Sequence, residues 1–167
     1  ERDGERYGNS DLGRFCAQAR RLVEAGVPVV KIRHPWWDTH AEHFERHADL
    51  VSQLDQAFSS LLQDLHDRGL LSETLVVVAS EFGRSPEVNR YGGRDHWTRA
   101  WSVALAGGGV PGGTVWGRTS ADGREVIENE VTPAGLHDGC LRLLGLETTP
   151  ATLMAATRPA GGKGLWA

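Results

Sequence analysis

The chain has 167 residues, 40% of them hydrophobic, and a formal charge of -4, which is long enough for one domain with its own core. Its 18 basic residues form no run, so nothing in the charge pattern points to nucleic acid. No stretch of 18 apolar residues is present to span a membrane, and no positively charged leader with an apolar segment is seen.

In chain order, Ser10 or Asp11 is placed to cap a helix whose apolar positions Leu12, Phe15, Cys16, Ala19, Leu22 and Val23 recur at helical spacing, with Gly26 as its stop. The β-branched run 27–32 reads as a strand and empties into the polar segment Arg33 to His40. A long amphipathic helix over about 41–68 follows, with Phe44, Val51, Leu54, Phe58, Leu61 and Leu65 on one face and Gly69 as its end. That stripe, Phe44, Val51, Phe58 and Leu65 above all, is expected to bury against a sheet. The run 74–79 is a second buried strand and 100–106 a third, closed by Gly107, Gly108 and Gly109. Residues 114–131 suggest a short hairpin around Asp122-Gly123. Thr132 caps a last helix with Pro133 at its first position, and the tail from Thr148 has little periodicity. Alternation of helix and strand predicts an α/β fold. Cys16 and Cys140 lie in helical patterns, form no metal pair or disulfide framework, and read as buried free thiols.

The chemistry concentrates after the strands, where open α/β sheets carry their sites. Asp38, His40, Glu81, Asp95 and His96 supply the carboxylates and imidazoles that suit zinc, manganese or iron. Asp38 and His40, two apart on an extended segment, point to the same side and are placed to share one ion. Each residue alone reads first as structural or solvated; their shared location is what raises a site. His43 and His47 are four apart on the long helix, a spacing also used in helical zinc sites, but no Glu stands between them and the helix start reads as surface. His43 stays a reserve ligand because it is so near Asp38. Arg84 and Arg94 are either anion-binding forks for phosphate or sulfate or the ion-pair partners of Glu81 and Asp95. Trp36, Trp37, Trp97 and Trp101 either line a pocket or cover the sheet edge. No nucleophile elbow and no phosphate-binding glycine loop is present, so the catalytic nucleophile is unassigned.

Trp37-Asp38-Thr39-His40, Glu81-Phe82-Gly83-Arg84-Ser85-Pro86, Gly93-Arg94-Asp95-His96-Trp97 and Leu105 to Gly109, with Tyr7-Gly8, Gly13-Arg14 and Ala19 to Val27, resemble the sulfatase-like domain-of-unknown-function family 1501, a branch of the alkaline phosphatase and sulfatase superfamily. The resemblance covers about 7–146. It implies a mostly parallel sheet flanked by helices, with a small hairpin insertion, in the C-terminal part of a sulfatase-like domain whose upstream half, a partner segment of the same domain, lies outside this sequence. It further implies a first metal, zinc for example, on Asp38, His40 and His96, and Glu81-Phe82 in the place of an Asp-His pair at a second metal. Phe82 departs from that pattern, since phenylalanine ligates nothing. The activity implied is metal-dependent hydrolysis of small anionic phosphate or sulfate esters, in a periplasmic or extracellular protein, although the isolated chain is expected to be inactive. The competing expectation is a non-catalytic binding or assembly module with a degenerate metal site.

Overall fold

The computed structural model describes residues 3–146, and they fall into two compact units. One comprises the residues up to Thr74 together with Glu87–Asp95; the other comprises Leu75–Pro86 and the residues from His96 onward. The tail from Thr148 lies outside the described residues.

The first unit is helical: α1 (Asp3–Tyr7), α2 (Asp11–Glu24) and α3 (His43–Asp67), then a short 3-10 turn, Leu71–Glu73. Ser10 caps α2 as its sequence suggests, its hydroxyl accepting from the Gly13 amide at 3.0 Å. Gly13 is required to be small, because a Cβ there would stand 2.3 Å from the Tyr7 carbonyl oxygen. Leu12, Cys16, Ala17 and Ala19 of α2 are buried, as are Leu50, Ala57, Leu61 and Leu65 of α3, and the two helices pack together. Fully burying one such leucine contributes about 1.5–3 kcal/mol. A polar knot fastens this core: the Tyr7 hydroxyl donates to Asp64 at 2.6 Å, and Asp64 also pairs with Arg6 and Arg20. Burial and then the Asp64 carboxylate hold the Tyr7 phenol well above its ordinary range.

Two expectations are corrected here. The stripe of α3 holds in part: Leu61 and Leu65 are buried and Leu54 and Phe58 half-buried, but Phe44 and Val51 are exposed, and Leu50, Ala57 and Asp64 join the inner face. The partner of this face is a pair of helices, and Ala57 lets them approach where Phe58 would not. The run 27–32 forms no ladder among the described residues, and Val29 is 79% exposed; Pro28 has no N–H to give to one.

The second unit holds β1 (Val76–Val78), β2 (Gly83–Arg84), β3 (His96–Trp97), β4 (Ala104–Ala106), β5 (Arg118–Thr119), β6 (Val126–Glu128) and α4 (Pro133–Leu143). Three two-stranded ladders, β1 with β4, β2 with β3 and β5 with β6, are all antiparallel. The chain is therefore a mixture of helices and small antiparallel sheets, and a mostly parallel sheet is not among the described ladders. The second and third expected strands shorten to three residues each, and Val77 is 42% exposed, so β1 is not covered on both faces. Residues 107–109 all have positive φ, and a Cβ on Gly108 would meet the Leu75 side chain at 3.0 Å; the glycines let this turn close over the start of β1. The expected hairpin is β5–β6, turned through Ser120 to Gly123 by the Gly123 amide donating to the Ser120 carbonyl at 2.9 Å. Thr132 caps α4, accepting from the Gly135 amide at 3.1 Å, with Pro133 first in the helix.

Cys16 is buried and Cys140 half-buried, both free; burial pushes the Cys16 thiol up to about 11. Among the described residues no helix is long and apolar enough to cross a membrane.

Candidate metal centre

The site is built on a clasp between residues 39–43 and 89–95 of the first unit. Ala41 and Gly92 form an antiparallel bridge, the Arg94 amide donates to the Thr39 carbonyl at 3.0 Å, and the His43 amide donates to the Gly92 carbonyl at 3.0 Å. The loop thus also serves the start of α3, where Glu42 is left-handed (φ 50) and gives no side-chain cap. Gly93 makes the approach possible: a Cβ there would fall 1.9 Å from the His40 carbonyl carbon.

Asn89 ties the clasp. Its Nδ2 donates to the His40 carbonyl at 3.0 Å and to Asp95 Oδ1 at 3.1 Å. Its Oδ1 accepts from the Tyr91 and Gly93 amides at 2.9 and 3.0 Å, so both donors and both acceptor positions of the amide are used.

Extending the Ala41–Gly92 register by three residues sets Asp95 opposite Asp38, and His96 is the next residue. Asp38 Oδ1 stands 3.3 Å from His40 Nδ1. One ligand atom from each of Asp38, His40 and His96 lies within 4.8 Å of the other two, all three residues being exposed. One carboxylate and two imidazoles form a borderline donor set that suits zinc and leaves a coordination position open. The residues fit a divalent ion, and nothing in them selects its identity.

Of the remaining candidates, Glu81 is exposed at the bend before β2 and is not one of this group. Asp95 is held by Asn89. His43 Nδ1 lies 2.7 Å from the Thr39 hydroxyl, and His47 Nδ1 donates to the His43 carbonyl at 3.0 Å, with the two rings 3.8 Å apart. Arg94 lies over the Phe44 ring at 5.9 Å. Trp37 is anchored, its Nε1 donating to His34 Nδ1 at 3.1 Å and its ring meeting His47 edge-on; burial lowers the His34 pKa. Trp36 is 76% exposed and left-handed at φ 78, a conformation that costs a bulky residue about 1–3 kcal/mol.

In the second unit, β2 and β3 pair Arg84 with His96 and Gly83 with Trp97. A Cβ on Gly83 would stand 2.2 Å from the Ala100 carbonyl oxygen. Trp97 Nε1 donates to the Arg124 carbonyl at 2.7 Å, and Arg124 lies over the indole, so this tryptophan fastens β3 to the β5–β6 hairpin. The Phe82 ring sits 4.3 Å from the His96 ring, with the Arg84 guanidinium 5.9 Å from the centre of Phe82.

Asn89 is the residue that sequence reasoning passes over, and Gly93 enters there only as part of a motif. The signal was present in Asn89 followed by Gly92-Gly93, turn chemistry that marks a tight loop but does not name what the loop grips.

The family model described as a protein of unknown function (DUF1501) matches residues 1–164, and the chain belongs to that family. No curated protein and no solved structure matches it.

Proposed function

We propose that this chain forms part of a metal-dependent hydrolase of phosphate or sulfate esters, related to the alkaline phosphatase and sulfatase superfamily. The observation that carries the reading is the gathering of Asp38, His40 and His96 within one ion's reach. An ion there would supply Lewis-acid polarisation of the ester. Asp38 and the two imidazoles hold it, and Arg84 and Arg94 are the donors offered to a tetrahedral anion. The same reading carries a mostly parallel sheet in the complete domain, a zinc-like ion, a small anionic ester as substrate and a periplasmic or extracellular location, all supported by the motif resemblance alone. A second reading, a non-catalytic binding or assembly module, draws on Phe82, which stands where the superfamily pattern puts a ligand.

The test is calorimetric binding of inorganic phosphate and sulfate to the full chain with and without zinc, alongside turnover of aryl phosphate and aryl sulfate esters. The hydrolase reading predicts anion binding that depends on zinc and weakens about tenfold in Arg84→Lys, which keeps the charge but loses the bidentate fork. Zinc binding without anion binding would favour the module, whereas absent turnover is expected of this chain on either reading. Anion binding indifferent to zinc would contradict the proposed site.

A further inference from the structure

We infer that Phe82 is a positioning residue for His96, holding the imidazole by ring contact in the orientation that the metal site requires. This rests on reading His96 as a ligand.

The β2–β3 register sets Arg84 directly opposite His96, and Phe82, two residues before Arg84, falls on the same face as the diagonal neighbour of His96. Diagonal partners are within reach of aromatic side chains; here the ring centres are 4.3 Å apart and the planes inclined by 40°. The contact is set by backbone that has little freedom. The Ser80 hydroxyl donates to the Phe82 carbonyl at 2.9 Å, Gly83 fits only because it lacks a Cβ, and Trp97 pins β3 from the next position. His96 is an exposed side chain on a two-residue strand, and ordering an imidazole costs side-chain entropy that an orientation set in advance spares the ion. Histidine ligands are commonly oriented by a group outside the ligand set; the face of Phe82 does this here. A phenylalanine after Glu81 thus need not mark a lost ligand, because an aromatic ring at that register holds a neighbouring one.

Zinc titration of the full chain and of Phe82→Leu, Phe82→Tyr and His96→Ala tests this, together with carbon–proton spectra of the His96 ring in the metal-free protein. Phe82→Leu is expected to weaken zinc binding about three- to tenfold, the size of an aromatic pair contact. Phe82→Tyr should stay within about twofold of the parent. The His96 ring protons should be displaced by the ring current of residue 82 in the parent and in Phe82→Tyr, and return to ordinary positions in Phe82→Leu. Parental zinc affinity in Phe82→Leu, while His96→Ala loses it, would overturn the inference and leave the metal site standing. Equal losses in Phe82→Leu and Phe82→Tyr would reduce Phe82 to packing and overturn it too. If His96→Ala binds zinc as the parent does, the metal reading itself fails and the positioning role falls with it.

Discussion

The Asn89 side chain donates to the His40 carbonyl at 3.0 Å, joining points 49 residues apart in sequence. Through that bond and the one to Asp95 Oδ1, a single amide joins the segment that carries Asp38 and His40 to the loop 89–95, whose next residue is His96. Replacing Asn89 by Asp keeps the acceptors for Tyr91 and Gly93 but removes both donors and sets a carboxylate against a carbonyl and Asp95. Zinc affinity should fall about 10- to 100-fold, as for other groups that orient ligands. Asn89→Ala forfeits all four bonds and should also lower stability, by about 1–3 kcal/mol, read by denaturant unfolding.

Gly93→Ala should fail for a different reason. The added carbon would meet His40 backbone atoms at 1.9 and 2.0 Å, and neither strand of the clasp can retreat without breaking its hydrogen bonds. A loss of more than about 2 kcal/mol is expected, with zinc binding lost in parallel. Gly112→Ala, with nothing within 4 Å of the new atom, should stay within about 0.5 kcal/mol of the parent.

Alkaline pH should loosen the helical unit. The Cys16 thiol is raised from 9.0 to about 11 by burial, and the Tyr7 phenol is raised by burial and by Asp64. In both cases the folded state keeps a proton that the unfolded chain gives up. The stabilisation is complete below the unfolded values and is lost as pH rises through the folded ones. The melting temperature should therefore fall between pH 9 and pH 11, where Cys16 is the group in transition, and continue to fall as Tyr7 follows. Cys16→Ala should flatten the first part of that fall, as thermal unfolding over this range will show. Alkylation of Cys16 at neutral pH should be slow in the folded protein and fast in denaturant.

The helices were legible because their signals are local. Ser10, Thr132 and Pro133 cap or open helices that begin where they stand, and Asp122-Gly123 turns the hairpin it announces. The strands were less so, since a run such as 27–32 shows a preference for extension but carries no record of a partner, and Pro28 weighs against one. The inner face of α3 is legible only in part, at Leu61 and Leu65, because apolar residues cover a wide arc of that helix. Leu50, Ala57 and the buried Asp64 are chosen by what α1 and α2 present to them. Of the site, Asp38, His40 and His96 could be named from residue chemistry and motif resemblance. Glu81 carried the same chemistry without joining the group, and Asn89 stayed hidden because three of its four bonds go to backbone groups, which residue types do not record.

Calorimetric titration of zinc into the full chain, repeated with Asp38→Asn and His96→Ala, tests the metal centre most directly. One ion should bind the parent, and each substitution should weaken binding at least about tenfold, because removing one of three ligands leaves too few to hold a zinc-like ion against water. Affinity unchanged by both substitutions would contradict the assignment of Asp38, His40 and His96 as a metal site.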